Sequence, residues 1–235
     1  MRKVFFALMG LVVFSAVSNA QNDMMYVIKN GLVVNKQSVR KTDFDSIIFY
    51  PPKPTPSNTF IDLRDGNFYE TTTIGTQVWM AENLKYLPSV ALPGNASIFA
   101  LYYVYGYNGE VVADAKATVN YNTYGVLYNW SAANPKGSQG VCPSGWHLPS
   151  DAEWTTLSDF LLGKSINETG FAPLLAGFNN GKGYEMGETA YWWTATSSTG
   201  SNSNAFVRVM DSKKTDFTSI EGTKKAGFSI RCVKD

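Results

Sequence analysis

Trp154, Leu157 and Leu161 fall at helical spacing, and the residues just ahead of them spell a helix start. Ser150 and Glu153 have the separation of a capping box, in which each side chain serves the other residue's backbone N–H. Pro149 precedes the cap, Trp154 falls at the fourth helical position as in a hydrophobic staple, and Gly163 offers a stop. The pattern predicts a helix from Asp151 to Leu162. A second helix is predicted from Tyr124 to Ala133, where Leu127, Tyr128 and Trp130 are apolar and Asn134-Pro135 ends the run.

Elsewhere the apolar runs are short and rich in β-branched and aromatic residues. Met25 to Val34 reads as a hairpin turning at Asn30-Gly31, and Phe44 to Tyr50 adds a candidate strand. Phe60-Ile61-Asp62-Leu63 and Asn67-Phe68-Tyr69 flank Arg64-Asp65-Gly66 as a second hairpin. Ile74 to Tyr86 reads as a strand running into an irregular turn. Later strands are expected at Tyr191–Thr196, Ala205–Val209 and Gly227–Val233. Residues 88 to 121 carry little pattern, although Tyr102, Tyr103, Tyr105 and Tyr107 crowd one part of them. No internal repeat is visible.

The N-terminus sets the expected compartment. Arg2 and Lys3 precede an apolar run from Val4 to Phe14, and Ser18-Asn19-Ala20 has the small residues of a cleavage site. The run is too short to span a bilayer, and Gln21 stands where a lipid-modified cysteine would be. The expected organisation is a signal peptide at 1–20, a small N-terminal β segment at 21–50, a Pro-rich linker at 51–58 and a main domain at 59–235. The mature chain is expected to be soluble, secreted or held at the cell surface, and not membrane-spanning.

Charge removes further classes. Lys and Arg number 20 against 19 Asp and Glu, with no basic cluster, so nucleic acid and anionic membranes are poor partners. Aromatics at 14% together with 20 glycines point to a turn-rich, β-leaning domain. Cys142 and Cys232 are the two cysteines, and in an oxidising destination a disulfide is preferred over two free thiols. It would close about 90 residues, worth about 4–5 kcal/mol in the chain-entropy picture. His147 is the single histidine, which leaves a metal site without a ligand set, and no cofactor is expected.

Five motifs occur in order: Ile74-Gly75-x-Gln77-x-Trp79-Met80-Ala81-Glu82-Asn83-Leu84, Tyr124-Gly125-x-Leu127-Tyr128-Asn129-Trp130, Cys142-Pro143-x-Gly145-Trp146-His147-Leu148-Pro149-Ser150-Asp151-x-Glu153-Trp154, Trp193-Thr194-Ala195-Thr196 and Arg231-Cys232-Val233. Together they resemble the Fibrobacter succinogenes major paralogous domain, over about residues 59 to 235. The resemblance implies an exported bacterial protein and carries no established activity. The Cys-Pro-x-Gly-Trp segment, the helix after Leu148-Pro149 and the late cysteine are also similar to C-type lectin-like domains. Gly227-Phe228-Ser229-Ile230-Arg231 resembles the last strand of the sulfatase-modifying enzymes, which share that general fold. These likenesses imply an α+β fold, a C-type-lectin-like domain with a small antiparallel sheet, two helices and long loops, preceded by the small β unit. The disulfide would then tie the Cys142 segment to the final strand.

Three functional classes follow from the residues. The calcium-dependent lectin motifs are missing, and no loop clusters enough acids for calcium's six to eight oxygens. Sugar binding without calcium stays open, with Tyr105, Tyr107 and Trp192 as candidate stacking residues, set against plain core packing. For an enzyme related to the sulfatase-modifying proteins, both cysteines are better used in one structural disulfide, and His147 beside a helix cap reads as a packing residue rather than a general base. Asp151 and Glu153 are explained by capping and the helix dipole. No nucleophile elbow, phosphate loop or metal-ligand spacing is present, so no catalytic residue is assigned. The favoured class is a non-enzymatic surface module for binding or adhesion, or a structural component of a surface assembly. Its expected partner is a surface glycan or a protein, met through loops at 88–121, 177–188 and 197–204.

Overall fold

A computed structural model describes residues 23–29, 32–39, 58–134, 140–162, 166–212 and 216–235. The signal peptide, the Asn30-Gly31 turn, the 44–50 strand, residues 51–57 of the linker and the Gly163 stop lie outside the described residues. The chain divides into two compact units, residues 1–61 and 62–235.

In the first unit β1 (Asp23–Lys29) and β2 (Leu32–Val39) pair antiparallel, from Asp23 opposite Val39 to Lys29 opposite Leu32. This is the hairpin expected from its β-branched flanks. One extra residue enters β2 beside Val27 and Ile28, a local bulge. The unit also holds β3 (Thr59–Ile61).

The second unit runs through β4 (Phe68–Ile74), β5 (Gln77–Met80) and β6 (Tyr102–Tyr103) to two short helices, α1 (Val112–Lys116) and α2 (Val119–Tyr124). Next come β7 (Leu127–Tyr128), α3 (Trp130–Ala133), β8 (Trp146–His147) and the long helix α4 (Asp151–Leu161). A 3₁₀ turn at Ile166–Thr169 leads to β9 (Phe178–Asn179), β10 (Gly183–Tyr184) and β11 (Thr189–Ser197). The chain then adds β12 (Asn204–Asp211), β13 (Thr218–Thr223) and β14 (Val233–Lys234).

These elements build an α+β fold of several antiparallel sheets. One sheet has the order β4-β5-β14-β8, with Val233 opposite both Trp79 and His147. A second has the order β11-β12-β13, and β6-β7 and β9-β10 form small ladders of their own. Helix α4 supplies the apolar stripe that its spacing predicts. Trp154, Leu157 and Leu161 are all buried, and the Trp154 ring lies 4.9 Å from Trp79, 5.5 Å from Trp192 and 5.3 Å from Phe217. Tilted and edge-on ring pairs at these separations add about 0.5–1.5 kcal/mol each beyond their burial.

The predicted cap of α4 is present in full. The Glu153 N–H donates to Ser150 Oγ at 3.2 Å, and the Ser150 N–H donates to Glu153 Oε2 at 2.8 Å. The predicted pairing of Cys142 with Cys232 is also present, with Cα atoms 6.0 Å apart and both residues buried. It joins the segment entering β8 to the segment entering β14.

The helix expected from Tyr124 to Ala133 is not formed as one piece. Tyr124 closes α2, and Gly125 then takes φ 78° and ψ −146°, a conformation open to glycine alone. A side chain there would also meet the Leu84 carbonyl at 2.8 Å. The chain straightens, so that Leu127 and Tyr128 pair with Tyr103 and Tyr102. Only Trp130 to Ala133 is helical again, capped by Asn129, whose Oδ1 accepts from the Ala132 N–H at 3.0 Å. Tertiary strand pairing overrides a helical spacing here.

Two motif residues prove to be buried polar anchors. Asn83 Oδ1 accepts from Trp192 Nε1 at 2.9 Å and from Arg231 Nη2 at 3.0 Å, while its Nδ2 donates to the Tyr124 carbonyl. Arg231 is fully buried, donates from Nη2 to the Ala172 carbonyl at 2.7 Å and stacks 4.1 Å over the Phe171 ring. Among the described residues no helix is long and apolar enough to cross a membrane.

Candidate functional site

The loop between Ala176 and Thr189 folds back as a two-stranded ladder, and glycine makes this possible. Gly177 has φ 62°, and a Cβ on it would lie 1.9 Å from the Tyr184 carbonyl, so only hydrogen fits where the strands close. Phe178 then stands opposite Tyr184, with the rings stacked at 5.1 Å and 17°. The ladder is tied to the core by Asn179 and Gly227, which exchange backbone hydrogen bonds of 2.9 and 2.8 Å. Phe178 packs onward against Tyr191 at 5.0 Å and Phe228 at 5.8 Å. A stack therefore runs from the buried interior to Tyr184, which is 36% exposed.

Glu185 follows directly. Its φ of 57° makes it the single non-glycine left-handed residue among the described residues. Such a backbone costs of order 1–3 kcal/mol and persists only where its surroundings over-determine it. The surroundings are on hand: the Glu188 and Thr189 N–H groups both donate to its carbonyl at 3.1 Å, and the Tyr191 hydroxyl donates to its Oε2 at 2.6 Å. Burial, aided by the Glu185 charge, pushes the Tyr191 phenol well above its ordinary range, so it stays a protonated donor. Lys182 Nζ lies 5.2 Å from the Tyr184 ring centre. The result is a small outward face: an exposed ring on a fixed aromatic stack, an exposed carboxylate locked by a phenol, and a cation. An exposed ring of this kind offers an apolar face for stacking, and a fixed carboxylate offers an acceptor whose direction is set.

The residues singled out from sequence fall in different places. Tyr105 is half-buried and lies against this ladder, because a Cβ on Gly183 would come within 2.6 Å of its ring. Tyr107 is half-buried and engaged with its own loop, its hydroxyl donating to the Val111 carbonyl at 3.1 Å and accepting from the Val111 N–H at 3.3 Å. Trp192 must be corrected: it has no exposed surface, its indole N–H is held by Asn83, and it packs on Trp154, so it is core and offers no face to a ligand. Strand β11 is buried on both faces here, since Trp193 is enclosed as well, and the half-buried neighbour is Tyr191. Phe178, Tyr184 and Tyr191 were not distinguished by sequence. The available signal was the Phe-Asn-Asn-Gly-Lys-Gly-Tyr run, two aromatics around a glycine turn.

His147 sits apart from this face. Its Nδ1 lies 2.6 Å from Asp235 Oδ1 and its Nε2 lies 2.8 Å from Glu153 Oε1. Two carboxylates at opposite nitrogens favour the doubly protonated ring and outweigh burial, so the His147 pKa is raised above its ordinary 6.5. Among the described residues no three His, Cys, Asp or Glu side chains gather as a metal site.

The family model described as Fibrobacter succinogenes major domain matches residues 72–166 and again residues 161–234. No curated protein matches the chain. No solved structure matches it either.

Proposed function

This chain belongs to the Fibrobacter succinogenes major domain family, and from that premise we propose an exported, non-enzymatic binding module that holds carbohydrate without calcium at the Tyr184–Glu185–Tyr191 face. The observation that carries the reading is Glu185. A strained left-handed residue, fixed by a 2.6 Å bond from Tyr191 beside an exposed ring, is a local cost that packing alone gives no reason to keep. Sugar recognition without a metal needs these parts, a ring held from behind and a polar group whose direction is set in advance. The C-type-lectin-like arrangement belongs to the same reading, with the ladder at 178–184 as one of its long loops.

Export is supported by the disulfide, since such bonds persist in oxidising compartments. A binding rather than catalytic role is supported by His147, whose two nitrogens are both engaged by carboxylates. The test is a glycan array with the mature protein, run with calcium and again with chelator. Binding should survive the chelator and fall at least about tenfold in Tyr184→Ala and in Glu185→Gln, the loss of one stacking or charged hydrogen-bonding contact. Binding abolished by chelation, or untouched by both substitutions, overturns the proposal.

A further inference from the structure

Four Asn-Gly or Asp-Gly pairs occur in the chain, at Asn30, Asp65, Asn108 and Asn180, and the first lies outside the described residues. Such a pair cyclises when the glycine nitrogen reaches the side-chain carbonyl carbon before it. That needs an unbonded N–H and open space, and glycine has no Cβ to obstruct the approach. The fold treats the other three pairs differently. The Gly66 N–H donates to the Asp62 carbonyl at 2.8 Å, and the Asp65 carboxylate accepts from the Asn67 N–H at 3.0 Å and from Asn67 Nδ2 at 2.7 Å. Both reacting groups are therefore already engaged. At Asn108 the Tyr107 phenol covers the next residue, because a Cβ on Gly109 would stand 2.5 Å from its oxygen. The same phenol clasps Val111 through both its carbonyl and its N–H, so Gly109 sits inside a closed loop. Asn180 and Gly181 stand at the tip of the β9-β10 ladder, past its last pair, Asn179 opposite Gly183. Both are exposed, and Gly181 has φ 89° with open space where a Cβ would stand. The Asn180 N–H donates to the Lys182 carbonyl at 3.1 Å, which holds the turn without engaging either reacting group. Among the described residues neither the Asn180 side chain nor the Gly181 N–H has a hydrogen-bond partner.

We propose that Asn180 is a modification site, deamidating spontaneously through attack by the Gly181 nitrogen. That nitrogen bonds to the Asn180 side-chain carbonyl carbon as the bond from this carbon to Nδ2 breaks, and Nδ2 leaves as ammonia with the Gly181 amide proton. Water then opens the cyclic imide at either carbonyl. One opening gives aspartate. The other gives isoaspartate, whose backbone runs through the former side chain and is longer by one carbon. Nothing is oxidised or reduced, and water is the single co-reactant. Either product sets a carboxylate beside Lys182, whose Nζ lies 5.2 Å from the Tyr184 ring centre. Isoaspartate also lengthens the turn that brings Phe178 opposite Tyr184. The ladder of a fresh chain therefore differs from that of an aged one in charge and in turn length.

The inference concerns chemistry within the chain, so it stands apart from the glycan reading and fails separately. The test is peptide mapping of the mature chain kept folded in mildly alkaline buffer at physiological temperature, beside a sample held unfolded in guanidinium chloride. Each acid is read by its mass difference from the amide, and isoaspartate by its separate elution. In the folded chain Asn180 should convert at least about tenfold faster than Asn108, the effect of one hydrogen bond that must first open. Asp65 should yield no isoaspartate over the same period. In the unfolded sample Asn180 and Asn108 should convert at similar rates, because the fold alone separates them. Tyr107→Ala should release Asn108 in the folded chain and leave Asn180 unchanged. An Asn180 that stays intact in the folded chain while the unfolded sample converts overturns the proposal. So does equal conversion of Asn108 and Asn180 in the folded protein, or an Asn108 rate that Tyr107→Ala fails to raise.

Discussion

Glu153 holds His147 with one carboxylate oxygen and caps its own helix with the other. Oε1 meets Nε2 of His147 at 2.8 Å, while Oε2 accepts from both the N–H and the hydroxyl of Ser150 at 2.8 Å. The start of α4 and strand β8 are therefore joined through one side chain, with Asp235 closing the other end of the imidazole.

This join titrates. Burial pulls the His147 pKa down, but the bonds from Asp235 and Glu153 outweigh it and hold it above 6.5. Burial likewise pushes Glu153 up, and the Ser150 and His147 bonds outweigh it, holding the carboxyl below 4.5. A raised histidine stabilises fully below 6.5 and loses that contribution as pH rises through its folded value; a lowered carboxylate stabilises above 4.5 and loses it as pH falls. Stability from this cluster is thus greatest between pH 4.5 and 6.5. Both groups are partly exposed, so the gain is about 1 kcal/mol or less. Melting temperature should decline by a few degrees above pH 7, and His147→Gln should flatten that decline. A wild-type profile that is level across the alkaline limb refutes the assignment.

The Cys142–Cys232 bond should resist reductant in the native protein, because both residues are buried. Peptide mapping without reductant should recover the two peptides joined, and alkylation should require unfolding first. Replacing both cysteines by alanine should cost about 2–5 kcal/mol in urea unfolding. Ready alkylation of the folded wild-type chain contradicts this.

Arg231 predicts an unusual ranking of substitutions. Burial pulls its guanidinium down to about 9, which still leaves it charged at neutral pH, and among the described residues no carboxylate bonds to it directly. Stacking on Phe171 suits a flat delocalised cation and not a compact ammonium. Arg231→Lys should therefore lose about 3–5 kcal/mol, while Arg231→Met, which removes the buried charge, should stay within about 2 kcal/mol of wild type. Urea titrations of the two variants decide it, and equal losses would remove the argument.

Glu185→Gly should separate stability from binding. Glycine enters the left-handed region without strain but adds freedom to the unfolded chain, and the Tyr191 bond disappears, so the net change should be within about 1 kcal/mol. Glycan binding should nonetheless fall at least as far as in Glu185→Gln. Full binding by a stable Glu185→Gly protein would show that the carboxylate is idle.

The sequence shows most of what local rules govern. Ser150 with Glu153 announced α4, the stripe at Trp154, Leu157 and Leu161 named its buried face, and Met25 to Val34 announced β1 and β2. Failures came where distant contacts decide. Tyr124 to Ala133 reads as a helix until Gly125 meets the Leu84 carbonyl and Tyr102 offers a strand to pair with. Trp192 and Tyr191 look alike as neighbours in one strand, and only distant packing encloses Trp192 while leaving Tyr191 half-buried. Strand β13 escaped notice because its residues are largely exposed and give no alternation. The strain at Glu185 is a backbone property that no residue type records.

The position of β14 bears on how the molecule assembles. Among the described residues β5 and β8 are joined through β14, so their sheet remains in two parts until that late segment is available. The covalent link that Cys232 completes is equally late. A chain delivered N-terminus first must wait in an unfinished state, and its slowest step is set by pairing between distant residues and not by helix formation. Deleting Val233 and Lys234 should accordingly arrest folding far more severely than the loss of two residues at a frayed end.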